Sequence, residues 1–142
     1  MKRGQEFYIF LFFCLNLLSI PGCKIVKPPT LTTVEVSEIG PTSAISGGNI
    51  TNDGHAEILV RGVCWSTTKS PTNEDPRTTD GYGLGTYSSR LTELEPNTLY
   101  YVRAYATNSE GTSYGNQLTF TTVEYSVPSV STTAITGITQ TT

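Results

Sequence analysis

Histidine, tryptophan and methionine each occur once in these 142 residues, and cysteine three times. Charged residues make up 15% and hydrophobic ones 37%, both low for a globular chain. Each shortage excludes something. Nine Lys and Arg against twelve Asp and Glu leave a net charge of −3, so a nucleic-acid partner is disfavoured. Cys14 and Cys23 belong to an N-terminal apolar segment, which leaves Cys64 alone and rules out an intrachain disulfide framework. No stretch after that segment has helical period. What the chain has instead is Thr, Ser, 13 Gly and 8 Tyr, a mixture that favours strands and turns.

The N-terminus reads as an address. Lys2 and Arg3 form a short positive head, and Phe7 to Ile20 is an apolar run broken only by Asn16 and Ser19. At about 14 residues it falls short of the roughly 20 needed to span a bilayer as a helix. This is the layout of a secretory signal peptide. The run ends in Ser19-Ile20-Pro21-Gly22-Cys23, which resembles a bacterial lipobox; Ile20 and Gly22 fit it, and Pro21 is a less typical filler. The resemblance implies cleavage before Cys23 and acyl chains, palmitate among them, on its thiol and new amino group. The alternatives are a signal peptide cut elsewhere, with Cys23 incidental, and an uncleaved anchor. Loss of Lys2, Arg3 and Glu6 takes the net charge from −3 to about −4, which disfavours electrostatic adhesion to anionic lipid. Residues 23–29, ending in Pro28-Pro29, read as an extended tether.

The domain behind it is organised around Leu94 to Asn108. Tyr100, Val102, Ala104 and Ala106 alternate strictly with Tyr101, Arg103, Tyr105 and Thr107, the period of a half-buried strand. Leu94, Pro96, Thr98 and Tyr100 turn a corner into it, and a Tyr at such a corner sends its ring inward and its hydroxyl back to upstream backbone. Other strands are expected over 31–39 (Val34 and Val36 alternating), 42–51, 57–66, 86–91 and 112–122, with a short edge strand near 77–79 in a long 67–85 loop. Ala44, Ser46, Gly48 and Ile50 make one small face, over which Trp65 is expected to lie. About seven short strands spaced by turns predict an all-β, seven-stranded antiparallel two-sheet sandwich.

The end of the chain repeats its start. Pro29, Thr33, Ile39 and Thr42 match Pro128, Thr132, Ile138 and Thr141 at one constant offset. A repeat at domain period implies tandem modules. The expected organisation is a lipoprotein signal peptide at 1–22, lipidated Cys and tether at 23–29, one domain at 30–123, and a linker with the start of a second copy at 124–142.

The run from Leu94 to Ala106 resembles the strand E to F signature of fibronectin type III domains. With Arg61-Gly-Val-Cys-Trp-Ser66 and Tyr114-Gly-Asn116, residues 28–122 resemble a bacterial fibronectin type III-like module of cell-surface lipoproteins. Ordinary members place a Trp on strand B, whereas here B is small and Trp65 stands on C. The resemblance implies a spacer or adhesion module and no enzymatic activity.

Candidate chemistry is sparse. His55 stands beside a Gly turn with no nucleophile signature near it. Cys64 reads as a small apolar filler rather than a reactive thiol. Asp53, Glu74, Asp75 and Asp80 lie in loops, but their spacing matches no calcium loop. Gly81, Gly83 and Gly85 read as turn chemistry rather than a phosphate loop. Tyr101, Arg103 and Tyr105 form an outward stripe that serves either as an interface or as cover for the sheet, with Arg103 over a ring.

The expectation is therefore a non-enzymatic, monomeric, lipid-anchored module of a bacterial envelope, an outer-membrane lipoprotein facing the periplasm or the surface. No cofactor or metal is implied. The alternatives are a glycan- or protein-binding protein using the Tyr101/Arg103/Tyr105 face, or the accessory N-terminal part of a larger enzyme.

Overall fold

A computed structural model describes residues 24–126 and 128–131. The leader (1–22), the lipidation candidate Cys23 and most of the second copy (132–142) lie outside the described residues. Among the described residues seven strands follow in order: β1 Thr30–Ser37, β2 Ala44–Asn52, β3 Val60–Ser66, β4 Gly85–Leu91, β5 Leu99–Asn108, β6 Gly111–Tyr114 and β7 Leu118–Thr121. One sheet has the order β1-β2-β4. The other has the order β3-β5-β6, with β7 also pairing with β5. All the pairings are antiparallel, which gives the expected two-sheet sandwich.

Alternation explains most of the layering. In β4, Tyr87, Ser89 and Leu91 are buried between exposed neighbours, and in β2 Ala44, Ser46, Gly48 and Ile50 face inward. The core joins these to Ile58, Val63, Trp65, Leu94, Tyr100, Val102, Ala104, Ala106 and Phe120. Tyr100 stacks on Phe120 with ring centroids 5.7 Å apart, and its hydroxyl accepts the Glu95 N–H at 3.0 Å. The corner before β5 is thereby tied to the strand it feeds.

Four features depart from the sequence reading. Val34 is exposed, and Leu31 and Thr33 are buried instead; a register shift between Val34 and Ser37 then turns Val36 toward the core. The gap over Gly48 is filled by Tyr87 rather than by Trp65: a Cβ on Gly48 would lie 2.5 Å from the Tyr87 hydroxyl. That hydroxyl crosses between the sheets and donates to Gly62 O at 2.7 Å. The single last strand expected over 112–122 is two, β6 and β7. The break admits β1, where Thr33 N–H donates to Asn116 Oδ1 at 3.0 Å and Thr33 Oγ1 accepts Ala104 N–H at 3.0 Å. The edge strand near 77–79 is a ribbon along β3 with one isolated bridge, Cys64 to Arg77.

The register also separates two poles. Thr30 lies opposite Asn52, and Ile50 opposite Gly85, at one end; Val60 and Thr107 mark the same end in the other sheet. Trp65, Tyr101, Leu99 and Thr121 lie at the far end, where the chain leaves the domain.

Candidate functional site

The stripe Tyr101, Arg103 and Tyr105 sits on the outer face of the four-stranded sheet. The segment after β3 folds back over that face. Its backbone runs along β3: Trp65 N–H donates to Pro76 O at 3.0 Å, Thr78 N–H to Val63 O at 2.8 Å, and Asp80 N–H to Arg61 O at 2.8 Å. Gly62 makes this approach possible, because a Cβ there would collide with the Thr78 carbonyl and lie 2.8 Å from the Tyr105 ring.

Tyr105 consequently lies under the ribbon. It is 2% exposed, and its hydroxyl donates to Thr78 O at 2.7 Å. The expectation that it shares an outward binding face with Tyr101 and Arg103 is corrected by this covering. Arg103 and Tyr101 are half-buried. Arg103 lies over the Tyr114 ring, 4.6 Å from its centroid, and its Nε–H donates to Gly115 O at 3.2 Å. Tyr114 in turn donates to Asn73 Oδ1 at 2.7 Å and accepts the Asn73 N–H at 3.1 Å. Ser70 N–H donates to Gln117 Oε1 at 2.6 Å. The stripe thus anchors a loop.

Cys64 is buried in the same layer, its Sγ 3.4 Å from Arg103 O, and burial pushes its thiol up to about 11. A thiol so placed is a poor nucleophile at neutral pH. At the seam with the other sheet, Asp80 accepts hydroxyl hydrogen bonds from Thr78, at 2.6 Å, and from Ser89. Burial raises the Tyr87 hydroxyl above its ordinary range, with Asp80 adding to the shift.

The remaining candidates do not converge. His55 is exposed in a turn with φ of 68°, and its own N–H donates to Asp53 Oδ1 at 2.8 Å. Asp75 caps a turn through Thr72 N–H at 2.8 Å. Among the described residues no three His, Cys, Asp or Glu side chains are placed to hold a metal. No helix among them is long and apolar enough to cross a membrane. A cleft of about 240 Å³ at the far pole is lined by Trp65, Thr67, Pro76, Thr92, Glu93 and Tyr100. Among the described residues no buried side-chain nitrogen or oxygen is left without a partner.

Two surface residues escaped the sequence reading. Tyr82 and Leu84, in the glycine run, are 73% and 53% exposed. The signal was there: an apolar side chain between two turn glycines has no strand or helix to carry it inward.

No family model matches the chain, and no curated protein does. Several solved structures share its fold. The sensor domain of the anti-sigma factor RsgI4 of Pseudobacteroides cellulosolvens, in its short form, is 18% identical over 70% of this chain and 99% of that one, with a TM-score of 0.52. The fourth fibronectin type III domain of a human protein is 21% identical over 79% of this chain and 92% of that one, with a TM-score of 0.54. A myokine is 18% identical over 69% and 100%, with a TM-score of 0.53. The likeness is one of fold: a fibronectin type III-like sandwich.

Proposed function

We propose that the protein is a lipid-anchored, non-enzymatic module of a bacterial envelope, an outer-membrane lipoprotein whose sandwich acts as a spacer or adhesion domain in a tandem array. The observation that carries this reading is the placement of the chain ends. The chain enters beside Asn52 at one pole and leaves beside Leu99 at the other. A module so threaded adds its own length between whatever is tied to its two ends. Eight residues of β1 set that length at about 26 Å.

The address comes from the sequence. A positive head, a short apolar run and Cys23 after a small residue supply an anchor whose hold grows by about 0.8 kcal/mol per buried CH₂. The sandwich supports the spacer role through what its outer face does, since Arg103 and Tyr105 are occupied in holding the 67–84 loop. Metabolic labelling with a fatty-acid probe tests the anchor. The wild type is expected to take up label and Cys23→Ala to lose it; equal labelling of the two refutes lipidation at Cys23.

A further inference from the structure

Four apolar side chains stand in solvent at the pole where the chain enters. Ile25 is 68% exposed, Leu59 62%, Tyr82 73% and Leu84 53%. The pairings of Thr30 with Asn52, Ile50 with Gly85 and Val60 with Thr107 bring the segments carrying them to one end. Gly81, Gly83 and Gly85 have φ between 82° and 90°, and a Cβ on any of them would meet nothing within 4 Å. Packing therefore does not shape this loop. Arg61 does: its Nε–H donates to Asp80 O at 3.2 Å, and one terminal N donates to Gly83 O at 3.0 Å and to Leu84 O at 3.1 Å. The same guanidinium lies 4.8 Å from the centroid of the Tyr87 ring. The loop is thus held while its apolar tips point away from the core.

The entering chain is fixed at the same pole. Lys27 N–H donates to Gly54 O at 2.8 Å, and Asn108 Nδ2 donates to Lys27 O at 2.7 Å. Gly54 lets this segment approach so closely that any Cβ there would strike the Lys27 carbonyl. Lys27 is therefore part of the domain rather than of a tether. Only three residues separate it from Cys23, and the four chain steps between them reach at most about 14 Å. An acylated Cys23 would hold this pole within that distance of the bilayer.

We propose that the pole bearing Ile25, Leu59, Tyr82 and Leu84 rests on the lipid surface, with these side chains in the headgroup layer. This rests on the lipid-anchor reading above. Tyr suits the position, having an apolar ring and a hydroxyl that stays wet. Lys24, Lys27 and Arg61 are balanced at this pole by Asp53, Glu57 and Glu110, so no cationic excess draws it to anionic lipid. The contact is apolar and should tolerate salt.

The test uses the full chain carrying Tyr82→Trp, reconstituted in phosphatidylcholine vesicles with and without brominated acyl chains. The native Trp65 lies at the far pole, about 20 Å along β3 from Leu59, and serves as the internal control. Wild type and Tyr82→Trp are expected to float with the vesicles, and Cys23→Ala to stay behind. Brominated lipid is expected to roughly halve the emission that Tyr82→Trp adds to that of Trp65, as for a side chain ~5–10 Å into the interface. The wild-type emission should not change, and roughly 0.5 M salt should leave the quenching intact. Should Tyr82→Trp float unquenched, or lose its quenching in salt, the docked pose is overturned, and a protein partner or open solvent is left for this pole. Should the wild type not float at all, the anchor itself is wrong and the pose falls with it.

Discussion

The two faces of β5 are packed by different means. On the inner face Tyr100, Val102, Ala104 and Ala106 are at most 7% exposed, and apart from the Tyr100 hydroxyl they contribute apolar surface. On the outer face Tyr105, Arg103 and the neighbouring Cys64 are covered by a loop that has one isolated bridge and no regular strand. That cover is held by directed contacts: Tyr105 to Thr78, Tyr114 to Asn73, Arg103 over Tyr114. A layer filled by volume fails when volume is removed; a layer pinned by a few hydrogen bonds opens when one pin goes. The inner layer should therefore set global stability, and the outer one should open locally beneath it.

Removing the indole is the strongest way to probe the first half of that contrast. Trp65→Ala should lower unfolding stability by about 3–5 kcal/mol in a denaturant titration. Gly62→Ala strikes the second half, forcing the ribbon off β3 at a cost of about 1–3 kcal/mol. It should raise amide exchange at Thr78 and Asp80 well before it alters exchange in β2 or β4. Tyr105→Phe removes a single pin and should cost about 1 kcal/mol, with the exchange increase confined to the ribbon. If Tyr105→Phe instead raises exchange across both sheets, the layers are one cooperative unit and the contrast is lost.

Cys64 gives the finest probe. In the unfolded chain its thiol ionises around the ordinary value of 9.0, but burial holds it protonated in the fold up to about 11. Its contribution to stability is therefore complete below pH 9.0 and lost progressively as pH rises to about 11. Cys64→Ala should flatten that alkaline fall in stability. A neutral thiol reagent at pH 8 should label the wild type slowly and Gly62→Ala faster, because labelling requires the outer layer to open.

How much of this was legible in the sequence follows from how local each cause is. The period of two in β5 lies within a few residues, and it puts Tyr100, Val102, Ala104 and Ala106 on one face, which is the buried one. The corner residues Leu94 and Tyr100 sit close enough in sequence to read together. What failed was long-range. Nothing near Tyr105 shows that residues 76–81 will lie over it. Nothing near Thr112 shows that Thr33 will cut the last strand in two. The register shift in β1 has no Gly or Pro to announce it, so the alternation of Val34 and Val36 does not show that the two will part to opposite faces.

The opposite placement of the two chain ends has a mechanical side. β1 runs from the entry pole toward the exit pole against an antiparallel β2, and β7 runs toward the exit against β5. Pulling the ends apart therefore drags each terminal strand lengthwise past its partner, and the hydrogen bonds of each pair share the tension rather than parting one by one. A chain stretched between a bilayer and a distant target would meet its resistance in these two strand pairs.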